Sequence, residues 1–202
     1  MDAILEATIQ VLLEVGKERL TTTRVAMRAG VSVGTLYQYF PNKSALLQAV
    51  LQRHLGEVAE AVEAVCREQA GESLSQMATA LVTTFLEAKL RDAKTSVAFY
   101  SVSSDVDGVK IVEQMGIRCN KAVVRMLGTA REQLTTDPRL VASMLQAAMV
   151  GVSRRMLESV SPEKQFPEMR RELIVLACAY VEACSAPLPV NHAVQSAAGS
   201  GL

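Results

Sequence analysis

Aromatic residues make up only 4% of this 202-residue chain, which holds no tryptophan, four tyrosines and four phenylalanines. A chain this poor in aromatics and this rich in Ala, Val, Leu and Met favours packed helices over sheets, so an all-α fold is expected. Histidine is scarcer still. His54 and His192 are the whole supply, and neither has a glutamate three residues earlier or a cysteine nearby, so no metal-binding or histidine-based catalytic constellation is available. Cys66, Cys119, Cys178 and Cys184 lack CxxC spacing, which points to buried free thiols rather than zinc or a redox pair. No glycine-rich phosphate loop follows a strand pattern. The longest apolar run, 173–181, is far short of the ~20 residues that cross a bilayer. Met1 is followed by Asp2, and Glu6 and Glu14 lie in the first helical stretch, unlike a signal peptide. The expectation is a soluble cytoplasmic protein that is not an enzyme and uses no metal or cofactor.

Charge is balanced overall, with 21 Lys and Arg against 21 Asp and Glu. Its distribution is not. Between residues 16 and 55 the bases are Lys17, Arg19, Arg24, Arg28, Lys43 and Arg53, and the sole acid is Glu18. Six bases against one acid leave that window at +5 and the remainder at −5, as expected of a phosphate-contacting head on an acidic body.

Inside that window, residues 21–43 spell out two short helices and a turn. Thr21 or Thr22 can cap the first by accepting from a free backbone amide, and Val25, Ala26 and Ala29 give it a buried stripe. Gly30 ends it, because a helix terminus often needs one residue at positive φ. Ser32 caps the second helix, whose Leu36 and Phe40 share a face and should be buried. Val33, Gly34, Thr35, Tyr37, Gln38 and Tyr39 are then left more exposed. Pro41 stops this helix, and Asn42 caps the next one from about Lys43. Such a helix-turn-helix puts its second helix in the DNA major groove, while flanking groups hold phosphates.

The ordered set Thr22, Val25, Ala26, Ala29, Gly30, Val31, Ser32, Thr35, Leu36, Tyr37, Tyr39, Phe40, Lys43, Leu46 and Leu47 resembles the DNA-binding domain of TetR/AcrR transcriptional regulators. The motif covers about the first quarter of the chain. Two features depart from the family pattern: no basic arm precedes the first helix, and Leu12 and Leu13 stand where an aromatic is usual. The resemblance implies phosphate contacts at Thr22, Tyr39 and Lys43. It implies base or groove contacts at Thr23, Val33, Gly34, Thr35 and Tyr37. It also implies a homodimeric repressor, released from a palindromic operator on double-stranded DNA by a small-molecule effector of unknown identity.

Beyond the head, the stripe Leu46, Leu47, Val50, Leu51, Leu55, Val58, Val62 and Val65 predicts a long helix over Lys43–Glu68 that joins head to body. A second helix is expected from about residue 74 to 91, a loop over 101–108, and a third helix over 109–134. Thr136, Asp137 and Pro138 mark a helix start for a segment reaching Glu158, and a last helix is expected over about 167–184. Residues 186–202 read as a tail. The implied division is a helix-turn-helix domain over 1–48, a helical effector-binding and dimerisation domain over 49–185, and that tail.

Both final helices carry apolar residues on more than one face, which calls for a second neighbour such as a copy of the chain. Leu145, Ala148, Met149, Val152, Leu173, Ile174, Ala177, Tyr180 and Val181 are the expected interface. By resemblance, these helices form a dimeric four-helix bundle. Met77, Phe85, Phe99, Tyr100, Met115, Met126 and Met144 are candidates for lining an effector pocket, since methionine adapts to varied ligands. Asp105 and Asp107 are possible polar anchors there. The competing expectation is a helical protein-interaction module whose basic head meets an acidic partner rather than a specific DNA site.

Overall fold

Side-chain caps divide the head into its helices. The computed structural model describes residues 1–104, 106–159 and 162–185, so the tail with His192, and also Asp105 and the side chain of Asp107, lie outside the described residues. Among the described residues there are nine helices and no strand: α1 Asp2–Arg19, α2 Thr22–Ala29, α3 Val33–Tyr39, α4 Lys43–Glu68, α5 Leu74–Leu90, α6 Ala93–Ser103, α7 Val106–Leu127, α8 Pro138–Leu157 and α9 Pro162–Ser185. Thr21 caps α2 by accepting from the Arg24 amide, Ser32 caps α3 from Thr35, and Asn42 caps α4 from Ala45. Gly30 sits at φ 70°, and the Val31 amide donates to Ala26 O at 3.0 Å while the Gly30 amide donates to Met27 O. That paired closure needs a left-handed residue, which glycine adopts without a Cβ penalty.

The body departs from expectation in three places. Residues 101–108 are mostly helix, because α6 runs to Ser103 and α7 opens at Val106. The serines that suggested a loop instead bond back along the helix: Ser101, Ser103 and Ser104 hydroxyls donate to Ala98 O, Tyr100 O and Ser101 O. Helix α7 ends at Leu127 rather than 134. There the Thr129 hydroxyl donates to Met126 O, the Arg131 amide donates to Glu72 O, and Glu132 accepts from the Leu74 amide, so 128–137 is held across the start of α5. Helix α9 opens at Pro162, ahead of the expected start, and carries Pro167 inside it; a proline at a first helical position gives up no needed donor.

Two apolar clusters follow from this arrangement. One gathers Ile4, Leu12, Leu20, Val25, Leu36, Phe40 and Leu46 of the head together with Leu51 of α4 and Phe99 and Val102 of α6. The other joins α4, α5, α7, α8 and α9 around Val62, Met77, Leu81, Leu86, Met126, Leu145, Met156 and Val181. Helix α4 serves both. Helices α6 and α7 approach so closely that a Cβ at Gly108 would lie 2.5 Å from Val102 O, leaving room only for glycine.

Candidate nucleic-acid interface and ligand cavity

The outward side of α3 is built from small residues and phenols. Gly34 is exposed, Val33 and Thr35 are half-buried, and Tyr37 and Tyr39 are 47% and 54% exposed, while Leu36 and Phe40 are buried beneath them. A Cβ on Gly34 would meet only the Ser32 hydroxyl at 3.7 Å, so packing within the chain does not demand glycine there. Thr22 and Tyr37 share a hydrogen bond at 3.1 Å between their hydroxyls, which ties the start of α2 to α3. Thr23 is exposed beside them. Lys43, half-buried at the start of α4, donates to Glu18 O at 3.4 Å and so anchors α4 on the end of α1.

The charge excess is smaller in space than along the chain. Arg28 is paired with Glu14 and also donates to Gln10, and Arg53 pairs with Glu57 at 3.4 Å. Both acids lie outside the window that counted +5. Among the described residues, Arg19, Arg24 and Lys43 have no carboxylate partner.

A cavity of about 250 Å³ opens between α4, α5, α6, α7 and α8. Of the candidate pocket residues, Phe85, Phe99, Tyr100 and Met115 line it. Met77 and Met126 instead fill the body core, and Met144 stands half exposed on the outer side of α8. Methionine at helical spacing serves packing there. Polar residues of the wall, His54, Lys89, Ser96, Ser103, Cys119, Gln146, Ser153 and Arg154, went unpredicted. His54 alone left a trace, since it stands three residues after Leu51 and four before Val58 on the apolar stripe of α4.

His54, Ser96, Lys89, Tyr100 and Arg154 form a connected end of the cavity. The Ser96 hydroxyl donates to Lys89 O at 2.7 Å and therefore accepts from His54 Nε2–H at 3.1 Å, which sets the imidazole tautomer. Burial, the Lys89 charge beside it and a smaller opposing effect of Asp92 bring the His54 pKa down to about 4. The imidazole is thus neutral near pH 7. Burial also lowers the Lys89 ammonium pKa and raises that of the Tyr100 phenol. Lys89 Nζ lies 5.7 Å from the Tyr100 ring centre and the Arg154 guanidinium 5.5 Å from it, both within cation–π range. Burial raises the Cys119 thiol as well, so it stays protonated, and no group of three His, Cys, Asp or Glu among the described residues could hold a metal ion.

On α8 and α9 the expected interface residues divide by face. Leu145, Met149, Leu173, Ala177 and Val181 are buried in the chain's own core, whereas Ala148, Val152, Ile174 and Tyr180 are half-buried. Leu140, Met144, Val175 and Leu176 stand outward, each about half exposed, while the similarly exposed Val150 lines the cavity.

Comparison with known proteins matches both halves of the chain. Residues 4–50 match the family model of bacterial regulatory proteins, tetR family, and residues 73–180 match the tetracyclin repressor-like C-terminal domain. The HTH-type transcriptional regulator BetI 1 of Chromohalobacter salexigens is 34% identical over 103 residues, half of each chain. The chain spans between a quarter and a half of the length of the curated relatives it matches. Two solved structures share the fold at low identity. A transcriptional regulator from Rhodococcus sp. Rha1 has a TM-score of 0.73 at 20% identity, covering 93% of this chain and 98% of that one. The complex of triclosan with SmeT, a repressor of Stenotrophomonas maltophilia, has a TM-score of 0.70 at 21% identity, with 93% and 98% covered. With a helix-turn-helix head and a helical body each matched in sequence, more than half the chain by the body alone, this chain belongs to the tetR family of bacterial regulatory proteins.

Proposed function

We propose that the chain is a sequence-specific DNA-binding repressor, that it works in the cytoplasm as a two-fold homodimer, and that a small molecule in the body cavity releases it from a palindromic operator. The observation that carries this reading is the outer side of α3, where exposed Gly34, Tyr37 and Tyr39 stand over a rigid base of Leu36 and Phe40. Phosphates are held by Thr22, Tyr39 and Lys43; Thr23, Val33, Gly34, Thr35 and Tyr37 meet the groove. Residues 1–48 act as the DNA-binding head and 49–185 as the effector and dimerisation body.

The dimer forms where α8 and α9 leave Leu140, Met144, Val175 and Leu176 outward, a paired apolar face that a second copy would cover. Release works through α4 and α6. Leu51 of α4 and Phe99 of α6 belong both to the head cluster and to the cavity wall, so an occupant that moves either residue moves the head. The differential fit of the occupant to the two head positions sets how far operator affinity falls. SmeT with triclosan is an instance of a protein of this fold holding a small molecule.

Footprinting across the DNA that flanks its own gene tests the proposal. Two protected half-sites are expected with centres about 34–36 Å apart, one helical turn. Uniform protection at all positions would favour the alternative of a protein-interaction module with a merely basic head.

A further inference from the structure

The cavity wall carries charge of one sign. Lys89 and Arg154 both line it, and none of its lining residues is Asp or Glu. Arg154 is answered at the surface by Glu158, at 2.8 Å. Lys89 has no such partner among the described residues: Glu87, two residues before it, pairs with Arg170 at 3.5 Å, and Asp92, three after it, is engaged in capping α6 through Thr95 at 2.9 Å. What remains is the face of Tyr100. A desolvated ammonium with only a ring face for company is a ready site for an anion.

The rest of the cavity is apolar, with Leu51, Leu55, Val58, Phe85, Phe99 and Met115 around it. Its volume of about 250 Å³ equals roughly eight waters at about 30 Å³ each, so an occupant has on the order of ten non-hydrogen atoms. We propose that the cavity binds a small amphipathic carboxylate, an acyl or aryl acid, with its anionic group on Lys89 beside Tyr100 and its apolar body against Phe85, Phe99 and Met115. This rests on the reading of the cavity as the effector site. A cationic ligand would face Lys89 and Arg154 with no carboxylate in the wall to receive it.

Calorimetric titration of the purified full chain tests the proposal, with hexanoate and benzoate against hexan-1-ol and benzyl alcohol and against hexylamine and benzylamine. The acids bind at least about tenfold more tightly than the matched alcohols, as a charge-assisted contact predicts, and the amines bind most weakly. Lys89→Met brings the acids down to the level of the alcohols, whereas Lys89→Arg keeps their preference. The comparison among probes on the unaltered chain stands by itself if Lys89→Met fails to fold. Alcohols or amines binding as tightly as the acids, no binding by any probe, or a folded Lys89→Met variant that keeps the preference would overturn the proposal. A band shift on the ligand-free chain judges the repressor reading separately, since it needs no occupant in the cavity.

Discussion

Phe99 and His54 pack ring against ring, with centroids 4.9 Å apart and planes tilted by 37°. The contact bridges α6 and α4 at the place where the head cluster meets the cavity wall. A side chain in both places couples occupancy of one to the position of the other. Replacing Phe99 with Leu keeps the site apolar and smaller, at a cost of about 1–2 kcal/mol in stability. DNA affinity of the unliganded variant should stay close to that of the original, while the loss of affinity on adding effector should shrink. A band-shift titration with and without effector reads both; an undiminished response would place the coupling elsewhere.

His54 gives the fold a pH dependence of determined sign. The imidazole titrates near 6.5 when unfolded and near 4 when folded, held down by burial and by Lys89, with Asp92 opposing, Ser96 accepting its proton and Phe99 covering it. Above pH 6.5 neither state binds the proton, so this group adds no pH dependence there. As pH falls from 6.5 toward 4 the unfolded chain takes up the proton and the folded one does not. Stability is lost over that window, by roughly 3 kcal/mol across its about 2.5 pH units. Denaturant midpoints should therefore fall more steeply with acid in the original chain than in His54→Asn. Equal slopes would show that the group is not desolvated as described.

Gly30 and Gly34 separate a folding role from a binding one. Alanine at Gly30, where φ is 70°, costs about 1–2 kcal/mol because of its Cβ in the left-handed region. Alanine at Gly34 meets an ordinary contact at 3.7 Å and replaces a helical glycine, which raises stability by roughly 0.5–1 kcal/mol. Its methyl group nevertheless stands on the outward side of α3, so operator affinity should drop. Thermal melts and operator binding on the two variants decide the matter; a Gly34→Ala chain that binds DNA undiminished would remove α3 from the interface.

The proposed phosphate and base contacts differ in what they do to sequence preference. Lys43→Gln should weaken binding to every duplex by nearly the same factor and reduce the salt slope by about 1. Tyr39→Phe should act in the same uniform way. Thr35→Ala, or Tyr37→Phe, which breaks the 3.1 Å bond to Thr22, should instead alter the ranking among operator variants. Competition binding against a panel of single-base substitutions distinguishes the two patterns.

The head was legible in the sequence because its instructions are local. Thr21, Ser32 and Asn42 each bond an amide three residues on, and Gly30 and Pro41 stop a helix by their own covalent geometry. Helix α6 was hidden because serine signals a loop or a helix according to whether its hydroxyl bonds back to the preceding turn, which composition does not reveal. The charge count misled for a related reason. Arg28 meets Glu14 across two helices, and the window that counted +5 begins just after that glutamate. The cavity was half legible: its aromatic residues stood out by type, whereas Lys89 and Arg154 look like any surface cation until five helices bring them to the same ring.

The account rests on specific recognition of DNA by α3, and fluorescence anisotropy of a labelled duplex from upstream of the chain's own gene measures it most directly. Against a scrambled duplex of the same length, the account predicts tighter binding by at least about a thousandfold at physiological salt, with both affinities falling as salt rises. Equal affinity for the two duplexes at every salt concentration would contradict it.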